Sequence, residues 1–467
     1  MINYRIRGVC VLPLIIMILL LMTGCSMESR GVTYGDSLFT DKDFDSYYST
    51  DEAVIIGLRE DSPLISLPEG SENCVKTEKT GGIENIVIQR EGTYVIEGKS
   101  SCSSVTVDAN KNSKVQLVLR GVEMTNGETS CIYVKNADKV FITLPEGTEN
   151  SLRDSEGKVT IDENATPTDS VKSAANTPES VIYAEDDIVF QGKGSLYIMA
   201  AVRDGIYCEN DIKITDGCYD IKAKHTAVKA VDSIRIAGGS IAIDCGADAL
   251  HVEEGYFYTR GTDISIKCVD DAIHSETELT IADGNVDIQK CREGFEGNAV
   301  EIYSGKVKIN AVDDTINAFG TGENIPYVKI FGGTVCLKSE GDCLDSNGIA
   351  VIEGGEVYMF SSAEDDDGAV DTIDGFTVLG GDVIAVETAG VTDADIGRSG
   401  IRKLVVSMDE VCSGGTLFQV KNSRNEIIFS FTPEKEYKNI FICSSKIKEE
   451  EYTATSGRFN QTIESVN

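Results

Sequence analysis

Asp204-Gly205-Ile206, Thr226-Ala227-Val228, Asp248-Ala249-Leu250, Asp271-Ala272-Ile273, Glu293-Gly294-Phe295, Asp314-Thr315-Ile316, Asp342-Cys343-Leu344 and Gly368-Ala369-Val370 are eight versions of one phrase. Each is a mostly acidic lead residue, a small residue, then an apolar one. The lead positions of the first seven lie 22, 22, 23, 22, 21 and 28 residues apart. A recurring internal period of this length marks a solenoid, in which a repeat buries its apolar face only against its neighbours.

Working outward from the phrase, each repeat carries alternating apolar runs such as Ile212-Lys213-Ile214 and Tyr219-Asp220-Ile221. Glycine corners split them: Asp216-Gly217, Gly238-Gly239, Asp283-Gly284, Gly332-Gly333 and Gly354-Gly355. Alternation with period two and glycine punctuation specify short strands rather than helices. About 22 residues hold three such strands and three turns, one rung of a parallel β-helix whose rungs stack about 4.8 Å apart. The fold class expected is all-β, with isoleucine, valine and cysteine pointing inward.

Less regular alternation from Gly82 through Ile86-Val87-Ile88, Val105-Thr106-Val107 and Val140-Phe141-Ile142 extends the solenoid toward the N-terminus. The β-helix is therefore expected over residues 81–380, interrupted by a polar loop insertion over 154–180. After residue 380 the period is lost. Lys403-Leu404-Val405-Val406, Ile427-Ile428-Phe429 and Ile440-Phe441-Ile442 suggest antiparallel strands over 381–467, a small C-terminal β cap over the otherwise open strand edges.

At the other end, Arg5 and Arg7, an apolar run from Val9 to Met22, and Met22-Thr23-Gly24-Cys25 form a secretory signal over residues 1–24. Its ending resembles the bacterial lipoprotein signal, which implies lipidation of Cys25, export, and anchorage at the extracellular face of the cell membrane by lipid alone. Residues 25–80, acidic and weakly periodic, are expected to be a spacer between lipid and fold. Apart from Cys10 and Cys25, 12 of the 14 cysteines remain. An even number in an exported chain raises disulfides, but Cys245 and Cys268 close equivalent strands on the inward side, where a thiol acts as a small hydrophobe.

The chain has 467 residues and a formal charge of -35, from 42 Lys and Arg against 77 Asp and Glu. Such a balance argues against nucleic acid or an anionic membrane surface as a direct partner. The lead residues Asp204, Thr226, Asp248, Asp271, Glu293, Asp314 and Asp342 should stack into a column. Three positions on, Tyr207, Lys229, His251, His274, Glu296, Asn317 and Asp345 should form a second one, with Asp270 and Asp313 thickening the first. Carboxylates about 5 Å apart repel by about 1 kcal/mol in water and about 3 kcal/mol at an effective dielectric of about 20. A counterion is needed, and calcium, bound by about six to eight oxygens, can bridge two rungs. The candidate ligands are Asp248, Asp270, Asp271, Glu293, Glu296, Asp313, Asp314, Asn317, Asp342 and Asp345, set against a solvated acidic edge or a row of turn-forming aspartates. A second acidic run, Glu364-Asp365-Asp366-Asp367-Gly368 with Asp371 and Asp374, departs from the twelve-residue EF-hand spacing.

The series Gly92-Thr93-Tyr94-Val95-Ile96-Glu97-Gly98, Val115-Gln116-Leu117-Val118-Leu119-Arg120-Gly121-Val122, Ala137-Asp138-Lys139-Val140 and Leu144-Pro145-Glu146-Gly147-Thr148-Glu149-Asn150, followed by Asp204-Gly205-Ile206, resembles a bacterial family. These are surface carbohydrate-binding-domain proteins built on a pectate-lyase-like β-helix. The resemblance implies a right-handed parallel β-helix, bound calcium, and attachment to plant cell-wall polysaccharide such as cellulose or polygalacturonate, with binding rather than cleavage. Two rivals stand beside it. A calcium-dependent polysaccharide lyase would need a base, for which Arg292, Lys290 or Lys229 could serve, although Arg292 reads more simply as a ladder salt bridge. A structural or adhesive surface protein would use the solenoid as a stiff spacer. His251 and His274 lack a third nitrogen or thiolate for a transition metal, and the tyrosines are the available sugar-stacking groups in a chain without tryptophan.

Overall fold

A computed structural model of the chain describes residues 38–161, 180–320, 325–362, 368–388 and 400–466. It is all-β, a solenoid of about 12 turns with rungs of roughly 23 residues. Each regular rung supplies one strand to each of three parallel sheets. Asp204–Cys208, Asp211–Ile214 and Cys218–Ala223 make one rung, and Val228–Ala230, Ser233–Ile236 and Ser240–Cys245 the next.

The register reproduces the repeat. In the first sheet Ile206, Val228, Leu250, Ile273, Phe295 and Ile316 pair in succession, and all are fully buried. Each side chain withdrawn from water stabilises the stack by about 1.5–3 kcal/mol, so the core is a continuous cylinder of rung-to-rung contacts. Glycine makes the corners possible. At Gly239, φ is 80° and an added Cβ would stand 2.4 Å from the Gly217 carbonyl oxygen of the preceding rung. Cys245, Cys268 and Cys291 lie buried in neighbouring rungs, and burial pushes all three thiols up, so they pack as small apolar groups. The twelve cysteines among the described residues are free thiols.

The spacer expected over 25–80 differs from what its described part shows. From Leu38 the chain lies against the solenoid as a strap, then adds the strand Val54–Leu58, parallel to Gly92–Ser100. Val75–Thr80 follows, antiparallel to Ile83–Ile88. The acidic composition concealed this because its decisive residue is an aspartate that is buried. Asp43 is 0% exposed, 3.2 Å from the Lys213 ammonium and 3.6 Å from that of Lys139. Thr215 Oγ1 donates to the Asp43 carbonyl at 2.7 Å, Arg235 donates to the Leu38 carbonyl at 3.0 Å, and Arg260 covers the Phe39 ring at 5.5 Å. Further along, Gln116 donates to the Tyr47 carbonyl at 3.3 Å. The strap thus crosses several rungs held by side chains, without a β-ladder of its own.

At the far end the solenoid runs beyond residue 380, through Asp382–Glu387, which pairs parallel with Glu356–Ser361. The same strand then pairs antiparallel with Tyr437–Ser444, which pairs with Lys403–Cys412. A separate antiparallel sheet of Phe418–Lys421, Ile427–Phe431, Glu451–Ser456 and Phe459–Glu464 completes the cap. Its own core, including Leu404, Val406, Phe418, Tyr437 and Ile440, packs on Ile384 and Val386. In the last rung the strand Asp382–Glu387 is therefore paired on both of its edges. The signal, Cys25, most of the insertion and residues 363–367 of the second acidic run lie outside the described residues. Among those described, no helix is long and apolar enough to cross a membrane.

Candidate functional site

The site is a pair of adjacent columns on the first sheet. One is outward-facing: Tyr133, Tyr183, Tyr207, Lys229, His251, His274, Glu296, Asn317, Asp345 and Asp371 follow each other in unbroken register. Its chemistry changes along the axis. Tyr133, Tyr183 and Tyr207 have ring centroids 5.4 and 5.6 Å apart, Lys229 lies 5.6 Å from the last ring, and the His251 and His274 rings stack at 4.5 Å and 6°. The acidic and amide residues follow.

The second column lies in the turn entering that sheet. Backbone bonds link the lead rungs in the order read from the sequence: Gly205 to Thr226, Ala227 to Asp248, Ala249 to Asp271, Ala272 to Glu293, Gly294 to Asp314, Thr315 to Asp342 and Cys343 to Gly368. Several lead carboxylates have a structural job here. Asp204 accepts the Thr226 N–H at 3.1 Å, Asp248 that of Asp271 at 3.2 Å, Asp314 that of Asp342 at 2.8 Å, and Asp342 that of Gly368 at 2.6 Å. These bonds stitch one rung to the next, as expected of turn-forming aspartates.

Between the stitches the charge is concentrated. Carboxylate oxygens of Asp248, Asp270 and Asp271 lie within 4.8 Å of one another, and Asp271, His274 and Glu296 form an overlapping group. His274 Nδ1 is 2.5 Å from Glu296, and His251 Nδ1 is 2.7 Å from Asp248. Burial works against charge on His274, yet the Asp271 and Glu296 carboxylates hold its pKa at about 10. Glu296, despite burial, is held down at about 2 by His274. Burial pushes Asp271 up to about 9 and Asp314 up to about 7, the latter reinforced by Asp313 and Asp345.

Arg292 is the counterion that the column already owns. Its Nε is 2.6 Å from Asp270, Nη2 is 3.0 Å from Asp271, and Nη1 bonds Glu293 and lies 3.4 Å from Asp313. The ten expected ligands thus divide. Asp248, Asp270, Asp271 and Glu296 converge. Glu293 and Asp313 join Asp270 and Asp271 around Arg292, and Asn317 donates to Glu293 at 3.0 Å. Asp314 stands among Asp313, Asp345 and Glu293, and Asp342 is one rung beyond. Glu387, absent from the sequence reading, is buried and accepts the Ala369 N–H at 2.9 Å where the repeat ends. No repeat phrase contains it, so the period carried no signal for it.

Oxygens bound to one calcium ion at about 2.3–2.6 Å stand up to about 5 Å apart, so the Asp248, Asp270 and Asp271 donor set fits that ion. The oxygen chemistry fits poorly to zinc or copper.

A family model for carbohydrate-binding domain-containing proteins matches residues 83–368, more than half of the chain, and the chain belongs to this family. A carbohydrate-binding domain-containing protein of Acetivibrio thermocellus (strain ATCC 27405) is 36% identical over 209 residues, 44% of this chain and 70% of the relative. A solved structure described as the polysaccharide lyase-like protein from C. thermocellum, gadolinium derivative, is 22% identical with a TM-score of 0.32, covering 70% of this chain and 96% of its own.

Proposed function

We propose that this member of the carbohydrate-binding family is a lipid-anchored surface protein that holds an extracellular polysaccharide, of plant cell-wall type, with calcium as structural ion, bridging ion or both. The observation that carries the calcium part is the convergence of Asp248, Asp270 and Asp271 from two rungs within 4.8 Å. Those three carboxylates would hold the ion. When bound, calcium supplies positive charge that carboxylate or hydroxyl oxygens of a glycan can share. The protein's own residues fix where that happens, because the stitching bonds and the Arg292 clamp hold the side chains in place.

A non-catalytic role is supported by the state of two of the three candidate bases. Arg292 is held charged by four carboxylates and cannot accept a proton, and Lys229 is paired with Glu253 at 2.6 Å. Without the signal the formal charge falls from -35 to near -37, since Arg5 and Arg7 leave with it. A polyuronate should then bind only where held cations reverse the local charge.

Two measurements test this. Excess calcium should raise the melting temperature relative to EDTA, because an ion that binds only the folded state stabilises it. Asp271→Ala with Asp314→Ala should remove most of that response and leave the β spectrum intact. An unaltered response would place any ions elsewhere. Polygalacturonate affinity should then be compared in calcium and in chelator, each at low and high salt. Salt screens beyond about 8 Å at physiological strength without bridging, so calcium should restore binding and sodium chloride should not. If high salt with chelator restores binding as well as calcium does, the columns are merely an anionic face.

A further inference from the structure

The C-terminal cap does more than close the edge. Cys336 and Lys338 project outward from the strand Thr334–Ser339, and Tyr358 and Phe360 occupy the same positions one rung later. In the next rung those positions are Ile384 and Val386, which the cap buries. Residues 432–436 of the cap arch back over the exposed part of these columns. The arch is clipped at two points: Lys338 bonds Glu434 at 2.6 Å, and Lys435 donates to Ser362 Oγ at 2.8 Å and lies 3.4 Å from Glu340. Beneath it is a cavity of about 310 Å³ lined by Cys336, Lys338, Tyr358, Phe360, Glu434 and Lys435.

From Asp220 onward the outward positions leading to the cavity are small or polar, as a solvated face requires: Asp220, Ala242, Ser265, Asp287 and Lys308 lead to Cys336. Tyr197 stands one rung before Asp220, and the next aromatic residue in that column is Tyr358, where the arch begins. The volume is at the small end of the range for small-molecule pockets, about 300–1,000 Å³. A pyranose ring presents an apolar C–H face and a rim of hydroxyls, and it needs an apolar or aromatic surface together with both donors and acceptors. Tyr358 and Phe360 supply the first, and Lys338, Lys435 and Glu434 supply the second. Lys306 and Lys308 lie one rung before the cavity, Lys308 3.6 Å from Asp287, so lysines and carboxylates alternate around it.

We propose that this cavity between solenoid and cap is a saccharide subsite that takes one pyranose unit of a glycan laid along the third sheet. The proposal rests on the carbohydrate-binding reading and names a place for it away from the acidic columns. Neutral and uronic pyranoses share the chemistry described, and the two arms of the experiment separate them.

The experiment uses the mature chain with cello-oligosaccharides and, in parallel, oligogalacturonides. Alkylation of Cys336 is followed by peptide mass spectrometry, with the exposed Cys218 as internal reference. A bound sugar should slow Cys336 alkylation and leave Cys218 unchanged. Cys336→Trp, which fills the cavity, and Tyr358→Ala, which removes part of its floor, should each weaken binding about tenfold, in line with the loss of one aromatic contact. Equal alkylation rates with and without saturating sugar overturn the subsite. So does full-strength binding by a folded Cys336→Trp chain, and in that case the carbohydrate-binding reading survives. If the wild-type chain binds neither oligosaccharide nor insoluble polysaccharide, that reading fails first and the subsite with it.

Discussion

Asp43→Ala is expected to lower the unfolding free energy by about 3–5 kcal/mol, the usual result of removing one partner from a buried ion pair. The reason is the ammonium left behind. Lys213 is nearly as buried as Asp43, and Lys139 only slightly less so. Neither can follow the missing charge into water while the strap stays in place. Desolvation alone raises the pKa of Asp43, but the Thr40 N–H, Lys213 and Lys139 together bring it below the ordinary 3.8. A carboxylate with a lowered folded pKa contributes stability that is fully present above 3.8 and disappears as pH falls through the folded value. The difference between wild type and Asp43→Ala should therefore be constant at neutral pH and shrink in acid below 3.8. Denaturant unfolding at several pH values measures it. Adding Lys213→Met to Asp43→Ala should recover part of the loss, because an apolar group then replaces the orphaned charge. A midpoint unmoved by Asp43→Ala would mean that the strap contributes nothing to the fold.

Arg292→Ala should cost about 2 kcal/mol in chelator, less than a fully buried pair because the guanidinium is 38% exposed. Four carboxylates then face one another without their shared cation. Calcium should recover more stability in this variant than in wild type, since ion and guanidinium answer the same excess of negative charge. Melting curves of both proteins in EDTA and in millimolar calcium give the comparison. If the variant gains no more from calcium than wild type does, Arg292 and the ion do not share the Asp270–Asp271 region. If it gains everything back, one ion can replace the guanidinium outright.

The repeat was legible because a rung is a local object. Leu250 and Ile273 pair because 23 residues close one turn, and a period read from the chain places every column residue from Tyr207 to Asp345 in its observed register. Local periodicity could not show what lies across the turns. Asp43 and Lys213 are 170 residues apart, and an aspartate in an acidic stretch reads as solvated until its partner is placed. The arch over Tyr358 depends in the same way on Lys338 meeting Glu434, 96 residues later. Within the acidic columns the sequence showed which carboxylates stack, and Arg292 was visible as an interruption. That it grips four of them at once follows from the turn geometry, which residue order alone does not contain.

The strap also decides how the protein carries mechanical load. A pull on the chain ahead of Leu38 does not reach a β-ladder first. It reaches Leu38 and Phe39, held by Arg235 and Arg260, then Asp43 on Lys213 and Lys139, then Tyr47 on Gln116, and only afterwards the strand Val54–Leu58. These contacts lie one after another along the chain, so tension peels them singly, with the buried ion pair as the firmest point midway. In the lipid-anchored reading proposed above, drag on a bound polysaccharide would lengthen this segment before any rung felt it.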